Sequence, residues 1–281
     1  MKLFQATSRT ALNRLEPQLR YNHGLMTRVL AGRLLATVFL LVASAVPAAA
    51  QLALAAASDL QPVLPEIAAR FQRATGQTVT ITYGSSGNFV SQIQNGAPFD
   101  VFLSADDGYV NRLVTSGHAD GRTSVAYASG RLALWSRSDR SLILSAGLTS
   151  LTDARVRRIA IANPEHAPYG RAAVDALRRA GLYVRLRDRL VLGESVSQAA
   201  QFAQTGNADV AIVALSLTMA PAMQQAGTSV ELPASTFAPI TQTGVVLTRS
   251  TKGDLARRFL QYLGQPDIAM LLRRSGFGPR P

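Results

Sequence analysis

The sequence predicts an α/β fold in two lobes, and three observations carry that reading. Short apolar, β-rich runs at residues 51–57, 79–83, 101–104, 132–136, 159–162, 210–214 and 244–248 alternate with amphipathic segments. Helical patterns of roughly 10 to 15 residues between such runs are the punctuation of βαβ units and of mostly parallel sheet. Two stretches rich in Ser, Gly, Pro and Thr, at 126–130 and 233–243, interrupt the alternation and are expected to be two crossings between lobes. Paired crossings allow closure about a hinge. Once a leader is set aside, about 230 residues remain, enough to bury a large core in one or two domains.

The leader is residues 1–50. An apolar run from Leu34 to Ala50 follows Arg28 and Arg33 and finishes in Val46-Pro47-Ala48-Ala49-Ala50. These are the basic, apolar and small-residue zones of a secretory signal, with cleavage expected after Ala50 and Met26-Thr27-Arg28 as a conventional start. The run is at the short end for a membrane span. The chain has no cysteine, so an exported form has no disulfide and no thiol for lipid anchoring.

Residues 1–50 hold six of the 29 basic and one of the 17 acidic side chains, which leaves 23 against 16 and a net of +7. The basic residues lie in the stretches 155–158, 171–189 and 257–274, at spacings that fit solvated helix faces and without interleaved aromatics. Nucleic acid is therefore not an expected partner.

In chain order, the first apolar run ends in Ala55-Ala56-Ala57-Ser58-Asp59-Leu60. A helix follows with Leu60, Val63, Leu64, Ile67 and Phe71 on one face, although Pro62 and Pro65 fall in its first turn. The second run ends in Tyr83-Gly84-Ser85-Ser86-Gly87-Asn88, a small-residue turn that lets backbone amides come close to a ligand. The run at 159–162 ends in Asn163-Pro164-Glu165-His166-Ala167-Pro168-Tyr169-Gly170, before a helix over 171–180 with Ala173, Val174 and Leu177 turned to the core. Gly193-Glu194-Ser195-Val196 opens a helix whose apolar face holds Ala199, Ala200 and Phe202, and amphipathic segments at 254–263 and 268–272 close the chain.

Each of the four turns joins a strand to a helix start. A helix start carries N–H groups without partners in the helix and the positive end of the dipole, so four drawn together form an anion site that needs no cationic side chain. The same residues have plainer uses. Ser58 and Ser86 could be helix caps or turn residues, Tyr169 a ring packed on a lobe surface, and Val196 a core side chain that reaches an anion only through its N–H. Ser85 and Asp59 are second-tier candidates; Asp59 could accept a proton from a protonated oxyanion, but it is expected to turn outward toward the helix start. His166 is read as a loop residue, because with His118 and one histidine in the leader no metal cluster can be assembled. No serine has a recognisable His and Asp partner and there is no cysteine, so an exported phosphate or sulfate ester hydrolase is a remote alternative.

Together, Ala56-Ala57-Ser58-Asp59-Leu60, Ser85-Ser86-Gly87-Asn88-Phe89 with Gln92-Ile93, the segment Gly96-Ala97-Pro98-Phe99-Asp100-Val101-Phe102-Leu103-Ser104-Ala105-Asp106, and Asn163 to Gly170 resemble the periplasmic molybdate-binding proteins of molybdate ABC transporters. The likeness covers nearly all of residues 51–281. It implies a type II periplasmic binding fold, with a central mixed sheet in each lobe and a ligand cleft between them. Lobe I is then expected at 51–127 plus 236–281 and lobe II at 128–235. It also implies that Ser58 and Ser86 are serine ligands of the oxyanion, that Tyr169 and Val196 give main-chain N–H groups, and that no protein atom ligates the metal. Some members place a tyrosine in the strand at 210–214, where this chain has Ala214. The function implied is capture of molybdate, and of tungstate, for a membrane permease, by a soluble periplasmic monomer that needs no cofactor and is not an enzyme. A receptor for sulfate or another tetrahedral oxyanion is the alternative.

Overall fold

The computed structural model describes residues 51–281. The expected leader, its cleavage after Ala50 and its start at Met26 lie outside the described residues. Among these residues no helix is long and apolar enough to cross a membrane.

Ten strands form two five-stranded mixed sheets. The first is built on β1 (Leu52–Ala57), β2 (Val79–Gly84) and β3 (Val101–Ser104), which run parallel with β1 in the middle. β1 is almost wholly buried and rich in alanine, as a strand covered on both faces must be. β10 (Ile240–Val246) lies antiparallel beside β3, and β4 (Val125–Gly130) antiparallel beside β10. The second sheet repeats the plan. β6 (Ile159–Ala162) sits between the parallel strands β7 (Leu190–Gly193) and β8 (Val210–Ala214), followed by β5 (Leu132–Arg137) and β9 (Gly227–Glu231), both pairings antiparallel. In each sheet the fourth strand is the one that has just crossed from the other.

The stretch at 126–130, expected as a crossing, is instead most of β4. Tyr127 and Ala128 are buried against the first core and the strand pairs with β10, so tertiary burial outweighs its Ser and Gly content. The chain changes sheet at Arg131, between β4 and β5, and returns through residues 232–239. The first helix also starts later than its apolar face suggests. Ser58–Leu60 is a 3-10 turn, and α1 runs Leu64–Thr75 with Pro65 in its first turn, where the missing N–H costs nothing. Phe71 of α1 packs edge-on to Phe259, their centroids 5.1 Å apart, and fixes α9 (Gly253–Leu263) to the first sheet. In the second lobe the core is centred on Trp135, whose indole N–H donates to the Met223 carbonyl at 3.1 Å.

The two parallel triplets explain where the functional turns lie. After β1 the chain places β2 on one side and β3 on the other; after β6 it places β7 on one side and β8 on the other. Crevices form outside the carboxyl ends of strands at such switch points. β1, β2, β6 and β7 end in Ala57, Gly84, Ala162 and Gly193, immediately before the four turns. The third turn is tight: a Cβ on Gly170 would stand 2.1 Å from the Ala162 carbonyl oxygen, so only glycine lets α4 (Pro168–Arg179) fold back on β6.

Candidate functional site

The four turns meet at one small cavity, of about 10 Å³, between the sheets. Ala57, Ser58 and Asp59 line it from the end of β1, and Ser85 and Ser86 from the start of α2 (Ser86–Gln94). Ala105 closes it after β3, while Tyr169 from α4 and Val196 from α6 (Val196–Gln204) face it from the second lobe. All six candidate residues are therefore adjacent. Among the described residues that line the cavity, none is Lys, Arg or His.

Helix geometry sets the amides. Ser86 and Val196 are the first residues of their helices and Tyr169 is the second of its own, so none of their N–H groups has a partner one turn back. The serine hydroxyls are not caps. Ser85, at the N-cap of α2, makes no capping bond, and the turn that Ser58 opens has none from a side chain either. Instead the Ser58 Oγ accepts the Ser197 N–H at 3.2 Å, and the Ser86 Oγ accepts the Ala105 N–H at 3.1 Å. A hydroxyl whose lone pair is engaged by an amide keeps its own hydrogen free to donate. Ser195, by contrast, is an ordinary N-cap that accepts from the Gln198 N–H at 3.3 Å.

Asp59 does not turn outward as expected. It is fully buried, and its Oδ2 accepts the Tyr169 hydroxyl at 3.0 Å and the Gln242 side-chain amide at 2.6 Å. Tyr127 donates to the Gln242 Oε1 at 3.1 Å, and Ser216 donates to the Asp59 carbonyl at 2.8 Å. Burial pushes the Asp59 carboxyl up to about 6, against the lowering effect of those donors. The cause of the inward orientation is the second lobe: Tyr169 is not a surface ring but reaches across the cleft to the carboxylate, which no local pattern around Asp59 announces. Ala214 is buried at the end of β8 and does not line the cavity.

Around the rim the lobes touch through side chains that sequence reasoning missed. The Gly87 N–H donates to the His166 carbonyl at 2.9 Å. His166, read as a plain loop residue, pairs its Nδ1 with the Ser85 Oγ at 2.9 Å and its Nε2 with Glu194 at 3.3 Å. The sequence offered no serine with a His and Asp partner; the structure does bring Ser85 to a histidine and, through it, to a glutamate. Glu194 is 71% exposed, however, and a nucleophilic relay needs a buried acid to orient its base; the line Ser85–His166–Glu194 serves as a clasp between lobes. Arg171 forms a second clasp, to the Asp106 carboxylate and to the Tyr109 hydroxyl at 2.8 Å. The one signal for the buried network was Gln242, a polar residue inside an otherwise buried strand.

A family model described as bacterial extracellular solute-binding protein matches residues 52–278. Molybdate-binding protein ModA of Rhodobacter capsulatus is 38% identical over 239 residues, spanning 85% of this chain and 92% of that protein. Its namesake from Azotobacter vinelandii is 36% identical over 230 residues, 82% of this chain and 90% of that one. The solved structure of the Azotobacter vinelandii periplasmic molybdate-binding protein superposes with a TM-score of 0.76 at 32% identity, over 82% of this chain and 100% of that chain.

Proposed function

The chain belongs to the bacterial extracellular solute-binding proteins, in the group of the molybdate-binding proteins, and from that membership we propose that it captures molybdate in the periplasm and passes it to the permease of an ABC transporter. The observation that carries the proposal is the convergence of three first-turn amides and two hydroxyls on one cavity lined by no cationic side chain among the described residues. Ser58 and Ser86 give hydroxyls to the oxyanion, and Tyr169 and Val196 give main-chain N–H groups. A tetrahedral dianion with no proton of its own needs donors only. Five charge-assisted bonds at roughly 1.5–3 kcal/mol each give about 7.5–15 kcal/mol, which reaches the roughly 8 kcal/mol of micromolar binding and at its upper end leaves a margin for ordering and closure. Tungstate, nearly the same size and equally charged, binds the same way. The protein works as a soluble monomer and turns over no substrate.

Calorimetry with molybdate, tungstate, sulfate and phosphate tests this. Submicromolar binding of molybdate and tungstate, with sulfate displaced by molybdate, is the expected result; no heat with molybdate ends the proposal, and preference for sulfate transfers it to the sulfate receptors. Turnover of a chromogenic phosphate or sulfate ester would end the non-enzymatic reading. The rim has a smaller effect. Arg171 and Asp106 are 40% and 28% exposed, so Arg171→Ala is expected to weaken molybdate binding by less than about 1 kcal/mol, with the difference shrinking as salt is added.

A further inference from the structure

Asp59 is the residue that the donor cage leaves unexplained. Asp59 lines a cavity whose other residues offer only donors and apolar atoms, and its carboxylate is buried directly behind Ser58. Its Oδ2 is fully engaged by Tyr169 and Gln242, while its Oδ1 is buried with no hydrogen-bond partner among the described residues. The orientation of those donors is fixed, because the Tyr127 hydroxyl holds the Gln242 carbonyl oxygen and so turns the Gln242 amide toward Asp59.

Among the described residues no countercharge is at hand. The ionisable side chains around the carboxyl are Tyr169, in direct contact, and Tyr127, through Gln242. The elements packed on the Ser58–Leu60 turn, α6 and α7 (Leu215–Thr218), contain no ionisable residue, and neither does β10. His166, Glu194, Asp106 and Arg171 are at the rim and are engaged there.

Resting on the molybdate reading above, we propose that Asp59 makes capture proton-coupled: one proton from solvent enters the closed site with each oxyanion dianion, sits on the Asp59 Oδ1, and turns that oxygen into a donor to the guest. Two like charges sealed in a low-dielectric site repel strongly, and the carboxylate is the one that can be neutralised. Only Oδ1 has room for the proton, since Oδ2 already accepts two. Burial alone raises the carboxyl to about 6, and a neighbouring dianion raises it further. The free protein is then mostly ionised at neutral pH and the complex is not. Affinity therefore falls as pH rises, by about tenfold per unit above the titration of the free carboxyl, and levels off below it. Asp59 is thus the residue through which the charge of the guest is coupled to the pH of the solution.

Calorimetry of the wild-type protein with sodium molybdate in two buffers of different ionisation enthalpy, near neutral pH, is the test. The expected result is uptake of close to one proton per molybdate and about a tenfold rise in Kd over the next pH unit. Asp59→Asn, which keeps an acceptor for Tyr169 and Gln242 and places an amide donor where Oδ1 stood, is expected to take up no proton and to lose the pH slope. It should also bind molybdate at alkaline pH at least as tightly as the wild type. Molybdate binding with no proton uptake and a flat Kd overturns the inference, as does an Asn variant that keeps the wild-type slope. The proton count on the wild type decides the matter even if the variant does not fold. Absence of molybdate binding in every buffer overturns the receptor reading itself, and this inference with it.

Discussion

Ser58→Ala combined with Ser86→Ala is expected to weaken molybdate binding by about 3–6 kcal/mol, or roughly a hundredfold to ten-thousandfold, with the fold preserved. Each hydroxyl has two roles. It donates to the anion, and its oxygen receives a backbone N–H: that of Ser197, across the cleft, for Ser58, and that of Ala105 for Ser86. Removing a hydroxyl therefore deletes a charge-assisted bond and leaves an amide without its acceptor, at about 1.5–3 kcal/mol for each single variant. The serines belong to one lobe and share one guest, so the double variant also reports their coupling. Calorimetry supplies the affinity, and a denaturant midpoint shows that the lobes still fold. An affinity within about threefold of wild type in the double variant would remove both hydroxyls from the site.

Gly87→Ala is expected to reduce affinity by about ten- to a hundredfold by a different route, without touching a ligand. The Gly87 N–H meets the His166 carbonyl across the cleft, and a Cβ there would stand 2.7 Å from that oxygen and 2.8 Å from the His166 Cα. The nearer contact, the Tyr109 hydroxyl at 2.6 Å, is the end of a side chain that can swing away, but the His166 backbone can yield only by moving the other lobe. Overlap of this kind costs about 1–3 kcal/mol, and the cost falls on the closed form alone. Thermal stability without ligand should be unchanged. Small-angle scattering with saturating molybdate should show a less contracted molecule than wild type; equal contraction and equal affinity would mean that the lobes do not need this approach.

The strand–turn–helix order was legible because it is local. The ends of β1, β2 and β6, and the small residues after them, write their period and their punctuation into adjacent positions, and the four turns that the pattern marks do come together. What was not legible depends on the other half of the chain. β4 read as a crossing because of its Ser and Gly, and β9 was not marked at all; they become strands because β10 and β5 offer them edges. The orientation of Asp59 depends on Tyr169 and Gln242, at sequence separations of 110 and 183. The clasps at His166 and Arg171 join loops that are neighbours only in the folded molecule. Val196 illustrates the limit from the other side: its side chain is buried like that of a core valine, and what distinguishes it is a backbone N–H at a helix start, which no side-chain pattern records.

The exchange of fourth strands has a consequence for how this polypeptide is made. β1, β2 and β3 are translated early, but β4 has no strand partner except β10 among the described residues, and β10 must lie between β3 and β4 before that sheet is continuous. Residues 240–246 come last of all the strands. A nascent chain therefore cannot complete its first sheet until the last sixth of its residues has been made.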